Sequence, residues 1–157
     1  MQSASISEIK KELKELPQEV LVNYCLHLAK YKKENKELLN YLLFEASDEL
    51  AYIAKAKQEI ENQFAEMNLS NTYLAKKTIR KVLRTANKYI KYSNIKTTEV
   101  ELLIHFCKKL KSSGFSLQNS NAINNIYLRQ IQKINQAIKT LHEDLQHDYS
   151  IELKNVL

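Results

Sequence analysis

One glycine and one proline among 157 residues leave almost no chain breakers. Sheets need turn residues every few positions, so this scarcity predicts long helices joined by short connections. A single glycine also excludes both common glycine-rich phosphate loops. No serine stands in a nucleophile-elbow context. The two cysteines, Cys25 and Cys107, are too few for a disulfide framework. Each lies on an apolar helical stripe, which predicts reduced core thiols. No apolar run approaches the ~20 residues of a membrane span. The opening MQSASISEIKKELKEL is polar and amphipathic, without the apolar stretch of a secretory signal. Together these absences predict a cytoplasmic protein with no membrane association.

What remains is a folding composition, 44% hydrophobic and 27% charged, in a chain long enough to bury a core without staples. The predicted fold is all-α: a compact bundle of about six to seven antiparallel helices with no sheet. One domain is expected over 1–157, with about 148–157 as a loosely ordered tail.

The helical signals run in order. Ser5 and Glu8 form a capping box before Ile6, Ile9, Leu13 and Leu16. Pro17 ends that helix and fits the first turn of the next, about 17–33, which carries Val20, Leu21, Tyr24, Cys25 and Leu28. Asn35 is a cap candidate for a short helix with Leu38, Leu39, Leu42 and Leu43, and Ser47 for a helix over about 48–67. The latter places Leu50, Ile53, Ala54, Ile60 and Phe64 inward. A helix over about 72–92 follows, with Ile79, Val82, Leu83, Ala86 and Ile90 as its stripe. Thr98 and Glu101 form a second capping box, and Gly114 suits the left-handed residue that ends the helix they open. A last long helix from about 121 into the 140s carries Ile123 through Leu145.

The charge is unevenly spread. Residues 1–66 carry net −3, residues 67–112 net +9 and residues 113–157 zero. The basic excess concentrates in Lys76, Lys77, Arg80, Lys81, Arg84, Lys88 and Lys91, with no acid among them. Steps of three and four put these seven on a broad face opposite the apolar stripe of the same helix. Like charges at that spacing repel by a few tenths of a kcal/mol per pair, so an acidic partner relieves a real penalty. Tyr73, Tyr89 and Tyr92 lie near enough to stack on bases. The face therefore suits an acidic protein partner or, as the alternative, a nucleic-acid backbone bound without sequence preference. A solvated face, or one that meets the acidic first third of the chain, explains it equally. The wide apolar stripes also allow a homodimer.

Other constellations fail on geometry. In His142-Glu-Asp-Leu-Gln-His147 the histidines are five apart and diverge around a helix, whereas a zinc motif needs four. Cys25-Leu-His27 and His105-Phe-Cys107 put their ligands two apart, on nearly opposite sides. A di-iron bundle needs two acid-x-x-His motifs, and Asp144-Leu-Gln-His147 is the single candidate. The chain thus offers no catalytic constellation, no metal set and no cofactor site.

The segment KKELKELPQEVLVNYCLHLAKYKKENKELLNYLL resembles a family of short bacterial helical proteins of unassigned function. The resemblance rests on the leading amphipathic helix, the break at Leu16-Pro17 and the Asn35-Lys-Glu-Leu-Leu run, and covers the first third of the chain. It implies an all-α fold and brings no known catalytic residues to this chain.

Overall fold

Eight α-helices and no strand make up residues 3–157, the part described by the computed structural model. Met1 and Gln2, the start of the opening segment, lie outside the described residues. The helices are α1 (Ile6–Lys14), α2 (Gln18–Tyr31), α3 (Lys33–Asn40), α4 (Glu49–Ala65), α5 (Thr72–Ser93), α6 (Lys96–Ser112), α7 (Asn121–Ile138) and α8 (Glu143–Lys154). A π turn spans Tyr41–Glu45 and a 3-10 turn Leu117–Asn119. The chain divides between Phe44 and Glu45 into two units, each described by itself below.

The first unit holds α1 to α3. Ser5 and Glu8 form the expected capping box, with the Ser5 amide donating to Glu8 Oε2 at 2.7 Å. Pro17 stands just before α2 rather than inside its first turn. α3 starts two residues before Asn35, whose side-chain amide instead donates to the Leu28 carbonyl at 2.8 Å, tying α3 to α2. Tyr41 is the one buried residue among those described in this unit. Cys25, expected in a core, is exposed.

The second unit owns the core. α6 packs against α4, α5, α7 and α8, and Leu102, Leu103, Ile104, Phe106, Cys107 and Leu110 are all buried on it. A helix apolar on nearly every side must sit in the middle of a bundle. Burial pushes the Cys107 thiol up to about 12, so it stays protonated and inert at neutral pH. α5 contributes Ala75, Ile79, Val82 and Ala86, while Leu83 and Ile90 pack at the margin.

Several boundaries depart from expectation for visible reasons. Asp48, not Ser47, caps α4 by accepting from the Ala51 amide. Leu50 and Ala54 face out, because the rotation of α4 turns Tyr52 and Ala56 inward instead. Thr98 and Glu101 form no capping box: α6 begins at Lys96, Thr98 donates to Glu49 at 2.5 Å, and Glu101 takes Lys57. The last helix breaks in two, which raises the count to eight. Thr140 and Leu141 switch to tighter bonds on Ala137 and Ile138, and the Gln146 side chain donates back to the Leu141 carbonyl at 2.8 Å. The segment 148–157 is helical through Lys154, not a loose tail. Leu153 and Val156 are buried, and the Tyr127 hydroxyl donates to the Val156 carbonyl at 2.9 Å.

Among the described residues, two positions have left-handed backbone, Asn94 after α5 (φ 55°) and Gly114 after α6 (φ 81°). A Cβ on Gly114 would also lie 3.1 Å from Leu69 Cδ1. Gly114→Ala should therefore cost about 1–2 kcal/mol in a denaturant titration. Asn94→Gly should be neutral or slightly stabilising, since glycine adopts that conformation freely.

Candidate nucleic-acid or protein interface on α5

α5 begins because Asn71 accepts the Leu74 amide at 3.1 Å, and it ends where Asn94 turns left-handed. Between those caps lie 22 residues with no acid. Ala75, Ile79, Val82 and Ala86 set the buried side, so the helical period turns Lys77, Arg80, Lys81, Arg84 and Lys91 away from the core, and all five are exposed. Lys76 flanks this face half-buried. Among the described residues, none of these six cations pairs with a carboxylate. Lys88, also half-buried, does have an interaction partner.

The acids of the second unit take their cations elsewhere. Glu101 holds Lys57 at 2.5 Å, Glu61 holds Lys109 at 2.8 Å, Glu152 holds Lys108 at 2.6 Å and Glu45 holds Lys55 at 2.8 Å. Glu49 accepts from Ser93 and Thr98. Glu61, Glu101 and Glu152, on α4, α6 and α8, are thus matched to lysines of α4 and α6. Lys77, Arg80, Lys81, Arg84 and Lys91 of α5 face solvent.

The three tyrosines do not act together. Tyr73 is 73% exposed and, four residues before Lys77, shares the basic face. Tyr89 is turned toward α4: its hydroxyl donates to Glu59 at 2.6 Å and its ring lies 5.2 Å from that of Tyr52. Tyr92 is half-buried with a partner of its own. Only Tyr73 is placed to stack on a base.

The histidines are dispersed. His27, His142 and His147 are exposed, and His142 lies 3.6 Å from Asp144 beside it. Neither Glu143 nor Asp144 pairs with His147 among the described residues. No group of three or more His, Cys, Asp or Glu side chains among the described residues is arranged to hold a metal ion. No described helix is long and apolar enough to cross a membrane.

His105 is half-buried on α6, facing Glu61 of α4. Burial lowers its pKa, the Glu61 carboxylate opposes that, and Lys57, Lys109 and Lys108 reinforce it. Nε2 lies 3.3 Å from Glu61 Oε1 without forming a hydrogen bond. A histidine whose folded pKa is depressed contributes stability above its unfolded pKa, and that contribution is lost as pH falls. Melting temperature should therefore decline as pH drops from about 7 to about 5.5, and His105→Gln should flatten the decline. Glu61, held low chiefly by its hydrogen bond from Lys109, titrates in a separate and more acidic window.

Comparison with protein families, characterised proteins and solved structures gives no match to this chain.

Proposed function

We propose that the protein is a non-catalytic, cytoplasmic interaction protein whose basic α5 face docks an acidic protein partner. The observation that carries this reading is the set of five exposed cations on α5 without a carboxylate partner, while Glu61, Glu101 and Glu152 of the same unit hold lysines of other helices. Five exposed positive charges on one rigid helix face repel one another and steer an oppositely charged surface into register. The buried stripe on the other side of α5 fixes the face in place, so docking does not require the helix to order itself first.

Nonspecific binding of nucleic acid is the second reading, and Tyr73 favours it. An exposed ring on the same face as Lys77 and Arg80 gives a base somewhere to stack. The engagement of Tyr89 with Glu59 and Tyr52 removes the second ring such a platform would use.

A nuclease-treated pull-down separates the two. The protein-partner reading expects one specific acidic protein retained by the unmodified chain and lost with Arg80→Glu/Arg84→Glu. Retention that vanishes with nuclease treatment contradicts it and supports nucleic acid.

A further inference from the structure

The first unit leaves its apolar side chains open. Twelve large apolar residues between Ile6 and Phe44 are exposed, and among the described residues of this unit only Tyr41 is buried. A 44-residue unit is near the size below which folding needs disulfides, metals or oligomerisation. Cys25 is a free thiol, so no disulfide supplies the staple. α2 and α3 meet in a groove of about 230 Å³ lined by Cys25, Leu28, Ala29, Leu38, Leu39 and Leu42, with Asn35 at its polar edge.

Charge brackets this groove with opposite signs. Residues 15–19, the turn into α2, hold two glutamates and no lysine, net −2. Residues 30–36, at the corner between α2 and α3, hold four lysines and one glutamate, net +3. Between them, Val20 to Ala29 carries no formal charge. The 14 residues of α2 span roughly 20 Å at 1.5 Å each, which keeps the two charged ends apart. Such a surface is complementary to itself in one orientation: reversed, each acidic end meets the other's basic corner.

We propose that the α2–α3 groove is the interface for a second copy of this chain, paired antiparallel along α2 about a two-fold axis. Leu28, Leu38 and Leu42, which line the groove, are exposed rather than buried. Cys25 sits at the middle of α2 and lines the groove, so the axis brings it beside Cys25 of the partner subunit. This pairing is independent of what α5 binds.

Sedimentation equilibrium on the full chain, with cross-linking by a short bismaleimide, tests the pairing. A mass twice 18.4 kDa is expected, with a covalent dimer that Cys25→Ser removes, since Cys107 is fully buried. Glu15→Lys/Glu19→Lys should weaken the dimer by about tenfold in Kd. Adding Lys32→Glu/Lys33→Glu should restore it, a rescue that misfolding of the first unit would not produce. A monomer at every concentration overturns the proposal, whether its Cys25 is open to maleimide or covered. So does a dimer that does not cross-link through Cys25, or one without rescue by the charge swap.

Discussion

Arg80→Glu/Arg84→Glu is expected to weaken partner binding roughly thirtyfold while leaving the fold intact. Both side chains are exposed and neither pairs with a carboxylate, so reversing them breaks no contact in the core. Surface substitutions of this kind usually change stability by less than about 0.5 kcal/mol. Stability should if anything rise slightly, because Arg80 and Arg84 repel at a four-residue spacing with Lys76, Lys77, Lys81 and Lys88 around them. Binding behaves differently. Each reversal removes an attraction and adds a repulsion, and at roughly 0.5 kcal/mol per exposed charge interaction the two together cost about 2 kcal/mol, or roughly thirtyfold in Kd. Circular dichroism should overlay the unmodified protein, and titration with the captured partner should show the loss. An unchanged affinity would make the α5 face a solvated surface and nothing more.

Phe106→Ala should have the largest effect on folding. Phe106 is fully buried at the centre of α6, with Phe64 of α4 packed against it at a ring separation of 5.8 Å. Truncation to alanine loses the transfer free energy of the ring and leaves a cavity that the surrounding helices fill only in part, about 3–5 kcal/mol together. Against a total of about 5–15 kcal/mol this lowers the melting temperature by roughly 15 °C or more. Leu50→Ala is the matched control. Leu50 is 77% exposed, so its truncation should cost less than about 0.5 kcal/mol. Equal losses at the two sites would mean that α4 is rotated relative to the packing described above.

That contrast also marks how far the sequence could be read. Helical class follows from composition and period, and the core stripe of α5 was legible because Ile79, Val82 and Ala86 repeat at three and four along a helix whose other side is basic. The basic face is the complement of that stripe, so its placement was legible too. α4 was harder. Leu50, Tyr52, Ile53, Ala54 and Ala56 offer two apolar faces, and only contact with α5 and α6 chooses between them. The capping box at Thr98 and Glu101 matched a local pattern, yet each side chain is claimed by a residue more than 40 positions away, Thr98 by Glu49 and Glu101 by Lys57. Tyr89 is drawn from the basic face in the same way, since its partners Glu59 and Tyr52 lie on another helix. The exposed surface of α2 had a signal in the sequence. Val22 and Leu26 fall off the stripe of Val20, Leu21, Cys25 and Leu28, so α2 carries more apolar residues than one buried face uses.

The most direct test of the central claim is fluorescence anisotropy across a salt series. A labelled acidic peptide, a short duplex and a single strand are each titrated with the unmodified protein and with Arg80→Glu/Arg84→Glu. An α5 face built for an acidic protein predicts binding of the peptide that the variant loses, with no tight nucleic-acid binding at about 0.15 M salt. Tight nucleic-acid binding that falls steeply with salt and disappears in the variant would contradict the claim, and would assign the same lysines and arginines to a phosphate backbone.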